Sequence, residues 1–433
     1  MPIHWPWTKR PGSIAAPEAK QAGTGGFGFV ALHGQSEATW TRRDYSALAR
    51  EGFMRNPVAH RSVRMIAEAA AAVPWLLYEG ARELEAHPAL ELLERPNQRQ
   101  AGGSFMETLY GHLLLSGNAY VELVSVGAVT PPPFAARIDP PHRGEGKREL
   151  AGAAELHLLR PDRVSVATDA SGWPVALEHR EGAGKRRVSL GASPVVRQAH
   201  HEGLAGSALH LSLFHPLNDH YGFPPLEAAL MALDIHNAAG RWNKALLDNS
   251  ARPSGALTYA PKEGGNLTEE QFDRLKAELE QGFSGPARAG RPLLLEGGLD
   301  WKAMGLTPKD MDFVEAKHAA ARDIALAFGV PPMLLGIPGD NTYANYQEAN
   351  RALYRLTVLP LVARTAKEFS AWLGPAFGGG LRFWFDADRI EGLAAEREAL
   401  WARVGAAGFL SDDEKREAVG YGPSTVRRAH GSR

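Results

Sequence analysis

No cysteine occurs among the 433 residues, so disulfides, thiolate metal sites and a cysteine nucleophile are excluded together. An excess of charge of either sign is also missing: 48 Lys and Arg stand against 49 Asp and Glu. A protein that grips duplex DNA along its whole surface carries a large positive excess. Any DNA partner is therefore expected to be touched over a restricted part of this chain. The first ten residues set Trp5 and Trp7 among prolines and lack the continuous apolar segment of a secretory signal. No later run reaches ~18 apolar residues, so no membrane span is expected, and no internal repeat of fixed period is found.

What is present is ordinary globular composition, 44% hydrophobic and 22% charged, over a length that calls for several packed units. Residues 1–30, rich in Gly, Pro, Ala and Gln, read as a flexible tail. Val58, Val63, Ile66 and Ala70 recur at helical spacing over 56–72, before Pro74. A strand is expected at 75–78 and a short helix at 87–94. Ser104 and Glu107 read as a capping box opening a helix to Leu115, followed by a strand at 119–124. The Pro-rich stretch 127–153 reads as a surface loop, and strands resume at 155–159, 164–167 and 175–179.

The second half changes character. Pro225 opens a helix expected to run to Asn249, about 24 residues and ~36 Å. A small α/β module spans 251–306, with strands at 255–259, 292–295 and 300–304. Its helix is opened by a Thr268 and Gln271 capping box, and Phe272, Leu275 and Leu279 form a stripe read as mostly core. Thr307 and Pro308 start a second helix to Phe328, ended by Gly329. After a loop at 329–345, a third long helix reaches Leu373, with Pro360 expected to kink it near Leu356. A strand at 381–385 and two helices, 390–404 and 411–419, the latter with a Ser411 and Glu414 capping box, complete the chain. Paired rods around a small tip are the organising feature.

Several strings then carry a resemblance. They are Tyr221-Gly222-Phe223-Pro224-Pro225-Leu226-Glu227-Ala228, Asn249-Ser250-Ala251-Arg252-Pro253-Ser254-Gly255 and Ala289-Gly290-Arg291-Pro292-Leu293-Leu294-Leu295-Glu296-Gly297-Gly298-Leu299. The most specific is Ala327-Phe328-Gly329-Val330-Pro331-Pro332-Met333-Leu334-Leu335-Gly336, followed by Asp340-Asn341-Thr342-Tyr343-Ala344-Asn345. With weaker likeness at Asn56-Pro57-Val58 and Gly117-Asn118-Ala119-Tyr120, they cover roughly residues 56–423. In this order they resemble the portal proteins, or head-to-tail connectors, of long-tailed bacteriophages and phage-derived gene transfer agents.

The resemblance implies an α+β portal fold that forms a twelve-subunit ring, a non-enzymatic dodecamer at one capsid vertex. Its parts would be a wing (31–225), a first stem helix (226–250), a clip (251–306), a second stem helix (307–328) and a tunnel loop (329–345). A kinked wing helix and strand (346–385) and a crown with the C-terminal tail (386–433) would follow. It implies double-stranded DNA in the channel, with major capsid protein, terminase large subunit and head-tail adaptor protein as partners, no membrane and no cofactor. Assembly would take place in the bacterial cytoplasm and the finished ring would sit in the virion or gene-transfer-agent particle. The insertion 127–153 and the stretch 198–213 depart from the family pattern and bear on the outline of the wing.

Candidate site residues follow. The loop tip Gly339, Asp340, Asn341, Thr342 and Tyr343 is polar without cations, so it can hydrogen-bond a sliding backbone without trapping it. The other reading is a subunit-packing loop in which Pro331, Pro332 and Pro338 only make turns. Arg241, Lys244, Lys317 and Arg322 on the stem helices are either steering charges facing the channel or partners of Asp234, Asp248, Asp310 and Glu315 in salt bridges. Arg274, Glu278 and Glu280 form the polar face of the clip helix, which the resemblance offers as a docking surface for motor and adaptor.

Other chemistry is set aside. Gly23, Gly25 and Gly28 fit a dinucleotide spacing but lack a preceding strand, and 182–186 lacks a phosphate-binding loop's Ser or Thr. His200 and His201 lack the i+4 partner of a helical zinc site, and Asp386 and Asp388 do not continue into a calcium loop. Arg427, Arg428, His430 and Arg433 read as a solvated tail rather than a nucleic-acid arm. The competing readings are a cytosolic hydrolase whose site assembles only in the fold, and a capsid component other than a portal.

Overall fold

The computed structural model of the protein describes residues 40–80, 82–126, 153–191, 207–248, 255–259, 268–283, 299–303, 313–339, 342–377 and 379–419. The expected N-terminal tail, the loop at 127–152, the strand at 292–295 and the helix start at Thr307-Pro308 lie outside them. The elements below all belong to the unit Thr41–Arg433.

A helical turn and a π-helix, Leu48–Met54, lead into α1, Pro57–Ala71. Asn56 caps α1: its Oδ1 accepts from Val58 N (3.0 Å) and Ala59 N (3.1 Å), and Pro57 supplies the first-turn φ. Strands β1, Trp75–Glu79, and β2, Arg82–Glu83, follow, then α2, Pro88–Glu94, and α3, Gly102–Ser116. The expected capping box at Ser104 is not formed. The helix opens three residues earlier on Ala101, which has no side-chain cap, because Gly102 starts it flush against the end of α2. A Cβ on Gly102 would meet the Leu93 carbonyl oxygen at 2.2 Å.

The large sheet has six strands: β3, Asn118–Val126; β4, Ala153–Leu159; β5, Val164–Thr168; β6, Pro174–Glu181; β7, Gly184–Leu190; and β8, Ser207–Ser212. Their order is β4-β3-β8-β7-β6-β5, with only β7 and β8 parallel. The strands β7 and β8 are additions to the sequence reading, which assigned neither. Glu122 on β3 is buried, and the Arg186 guanidinium on β7 reaches across β8 to both its oxygens, Nη2 to Oε2 at 2.7 Å and Nη1 to Oε1. Arg186 also donates to Glu181 through Nε at 2.9 Å.

Two strands distant in sequence close a second sheet. β1 pairs antiparallel with β11, Leu381–Phe385, in the register Trp75↔Phe385 and Leu77↔Phe383. Beneath it lie Phe369 and Trp372, both nearly fully buried, and the Trp372 indole donates to Ser207 Oγ at 3.1 Å, joining this sheet to the large one. The backbones of Gly117 (φ +72°) and Gly222 nearly touch; a Cβ on Gly222 would meet Gly117 O at 2.0 Å. Only glycine permits that crossing, which Asn118 Oδ1 secures by accepting Gly222 N at 2.8 Å.

The expected helix from Pro225 is interrupted. α4, Pro225–Ala228, ends at Ala229 (φ −95°, ψ 15°), and α5, Leu230–Asp248, continues, with Leu226 and Leu233 on either side of the break both fully buried. The small module contributes β9, Gly255–Tyr259, α6, Glu269–Phe283, and β10, Leu299–Ala303, with β9 and β10 antiparallel. Its capping box is formed, Gln271 N donating to Thr268 Oγ1 and Thr268 N to Gln271 Oε1. Phe272, read as core, is 53% exposed, and the Leu279 side chain lies outside those described.

α7, Phe313–Phe328, packs on α5. α8, Tyr343–Leu353, passes through a π-helical stretch, Tyr354–Val358, into α9, Leu359–Leu373. The distortion falls where Pro360 withholds a backbone donor from the preceding turn. After β11 come α10, Ala394–Ala406, and α11, Asp412–Ala418, opened by the expected Ser411 and Glu414 capping box.

Two stability consequences follow. Replacing Arg186 by Met leaves the Glu122 carboxylate buried without its cation, and should cost about 2–3 kcal/mol, below the ~3–5 of a fully buried pair because Arg186 is partly solvated. The double change Glu122→Gln, Arg186→Met should recover most of that loss in urea unfolding midpoints. Burial lowers His112 and His210 from 6.5 to about 4. The unfolded chain therefore binds more protons between these values, so stability is complete above about pH 6.5 and falls on acidification towards about pH 4, by up to ~1.4 kcal/mol per unit for each group. A thermal midpoint series from pH 7 to pH 4.5 should decline, and His210→Gln should flatten it.

Candidate functional site

The α5 and α7 pair is tied to the body of the molecule through Asn56. With Oδ1 committed to capping α1, the Asn56 amide nitrogen donates to His236 Nδ1 (3.1 Å) and Asn237 Oδ1 (2.9 Å) on α5. Asn237 in turn donates to the Glu51 carbonyl at 3.0 Å. Burial, with the Lys317 and His318 charges on α7, holds His236 below its ordinary value, so the ring stays neutral and its Nδ1 free to accept. The inner face of α5 is completed by Ala232, Leu233 and Ala239, and that of α7 by Ala320, Ile324 and Phe328, all buried.

The outer face of α5 is also apolar. Met231 (63% exposed), Ile235 (44%), Ala238 and Ala245 recur at spacings of four, three and seven, with Arg241 beside them. On α7, Val314 and Leu326 are likewise exposed. A helix apolar on both faces is one that is covered on both. The sequence reading missed this, although the spacing of Met231, Ile235 and Ala238 was its signal.

The stem cations are not equivalent. Arg322 is exposed but donates from Nη2 to the Pro338 carbonyl at 2.7 Å, so it braces the following loop. Arg241 and Lys244 are exposed on α5, and Lys317 is half-buried on α7. Asp234, offered as a salt-bridge partner for them, instead accepts the Thr41 amide at 3.0 Å and the Thr41 hydroxyl.

The loop after α7 is shorter than expected. Gly329 (φ +67°) ends the helix, a 3-10 turn covers Pro332–Leu335, and Thr342 caps α8 by accepting Asn345 N at 3.3 Å, which makes Tyr343 helical. The Thr357 hydroxyl, in the π-helical stretch, donates to Gly329 O at 2.7 Å. The loop is thus braced near both ends, at Gly329 and at Pro338. Gly339 and Thr342 are exposed; Asp340, Asn341 and the Tyr343 side chain lie outside the described residues. In the small module Arg274 is exposed, while Glu278 and Glu280 lie on α6 with side chains outside those described.

Among the described residues no cluster of three or more His, Asp or Glu could hold a metal ion, and no helix is long and apolar enough to cross a membrane. His200 and His201 lie outside them, and Asp386 turns on itself, Oδ1 accepting Asp388 N at 2.9 Å.

Comparison with known proteins gives this architecture a family. Residues 57–420 match the profile of the phage portal protein family. A protein of Rickettsia bellii is 39% identical over 86% of this chain and 88% of its own. The probable portal protein of Streptomyces phage phiC31 is 26% identical over 84% of this chain and 74% of its own. A chain in the neck of a native gene transfer agent particle, computed with C12 symmetry, is 48% identical, covers 90% of this chain and 97% of its own, and superposes with a TM-score of 0.63. That match speaks against the hydrolase reading and the reading as another capsid component, and the chain belongs to the phage portal protein family.

Proposed function

We propose that copies of this chain stand side by side in a ring, twelve as in the neck of the similar gene transfer agent particle, at one vertex of a phage or gene-transfer-agent capsid. Double-stranded DNA is packaged and ejected through the ring. The observation that carries this reading is the apolar outer face of α5, which one subunit leaves uncovered and a neighbour would cover. The parts are those of a portal: residues 31–225 as wing, 226–250 and 307–328 as stem, 251–306 as clip, 346–385 as kinked wing helix and strand, and 386–433 as crown. The tunnel loop is 329–342, shortened by the cap at Thr342. The role of the chain is structural, with packaging energy supplied by a separate terminase motor.

A channel must guide dense negative charge without holding it, and near-neutral composition suits that. We place the tip, Gly339 to Thr342, against the DNA, with Tyr343 beside it in the first turn of α8. Arg322 positions that tip through Pro338 rather than contacting phosphate itself, and the two braces, Arg322 and Thr357, fix how far the loop reaches. Arg241, Lys244 and Lys317 remain candidates for weak steering contacts. The α6 face with Arg274, Glu278 and Glu280 is the candidate surface for the terminase large subunit and then the head-tail adaptor protein, and the wing faces the major capsid protein.

Met231→Glu with Ile235→Glu should abolish rings in mass photometry while the subunit's thermal midpoint moves little, since exposed changes stay within about 0.5 kcal/mol. Rings that survive both charges would contradict the reading. Deleting 339–342 should leave rings assembled but reduce DNA-filled particles, and Arg322→Ala should do so to a smaller degree; loss of the rings would instead make the loop a packing element. For Lys244→Ala and Lys317→Ala, an unchanged packaged DNA length would assign these cations to structure rather than to steering.

A further inference from the structure

Helices α10 and α11 form a hairpin in which neither helix contains a buried residue. An isolated 13-residue helix is marginal in water, and α10 is held to its own subunit by ion pairs of Glu396 with Arg351 (3.4 Å) and Arg355 (3.3 Å). Such a hairpin needs a cover that a single subunit does not provide. Two of its features complement each other. One is a projection: Phe409, 86% exposed in the turn between the helices, followed directly by the acidic first turn of α11 with Asp412 and Asp413. The other is a groove of about 420 Å³ along α10, with Leu393 and Leu400 among its apolar lining and Arg397 and Arg403, together with Asp388 and Glu396, among its charged lining.

Positions 397, 400 and 403 share one face of α10 at spacings of three, and Leu393 precedes them in the 3-10 turn that leads into the helix. Arg397 already donates to the Asp388 carbonyl and lies 5.7 Å from the centre of the Trp401 ring, so it walls the groove. Arg403 is exposed. Because Phe409 follows the end of α10 and is open to solvent, it does not fill the groove of its own chain.

We infer that Phe409 of one copy seats in the α10 groove of the next, with Asp412 facing Arg403. An aromatic anchor in an apolar pocket with charges at the rim is the form that concentrated binding energy takes at protein interfaces. Projection and groove occupy different parts of the same hairpin, so the contact is head-to-tail, and repeated around a closed circle it makes a ring. The inference rests on the ring reading and adds a second, separate zone of contact to the stem.

The absence of cysteine makes the test clean. In assembled rings of the full chain, Phe409→Cys combined with Leu400→Cys should give, on oxidation, a ladder of covalent oligomers on a denaturing gel, and neither single change should. Arg403→Asp and Asp412→Arg should each weaken ring assembly, by about fivefold per contact for an exposed ion pair, and together should restore it. Rings that form in the doubly substituted protein without a ladder, or a cross-link confined to one chain, would overturn the inference and leave the ring reading standing. Failure of the unmodified chain to form rings would count against the ring reading itself.

Discussion

Asn56 is 1% exposed and has no water to turn to, so every polar atom of its side chain must find a partner within the protein. Its oxygen starts α1 and its nitrogen holds α5, and this double use fixes the long helix in rotation as well as in place. A helix that cannot rotate presents the same residues outward at all times. The Met231 and Ile235 face is therefore a built surface, and it is the one that the proposed ring would cover. His236 contributes by staying neutral, because a protonated Nδ1 would set donor against donor at the Asn56 amide.

The rest of the subunit is clasped so that the stem has a firm base. β1 and β11, from opposite halves of the chain, share a sheet, and Trp372 ties the helix beneath it to β8. The large sheet is locked in turn by Arg186 spanning three strands to the buried Glu122. Against this base the loop after α7 is seated by the buried Val330 and Ile337 and braced by hydrogen bonds from Arg322 and from Thr357.

Much of this was legible in the sequence where one residue type forces one local outcome. Pro57 after Asn56, the Thr268 and Gln271 box and the Ser411 and Glu414 box all mark helix starts that the structure contains. Pro360 marked the distorted stretch, and the ordered strings around Gly329 marked the family. The failures share a cause, which is that long-range packing decides between local options. Ser104 and Glu107 have the spacing of a cap, yet Gly102 lets the helix begin earlier against α2. β7 begins with Gly-Lys-Arg-Arg and reads as polar, but those side chains sit on a partly solvated sheet and one of them reaches Glu122. Phe272 and Met231 carry the spacing of core residues, and spacing does not state whether the cover is the same chain or another.

The most direct test of the account is electron microscopy of the purified, unmodified chain at a resolution that places side chains. The account predicts annular particles whose central hole admits a double helix, with Met231 and Ile235 of each copy in contact with its neighbour. Separate single copies, or rings in which those two residues face solvent, would contradict it.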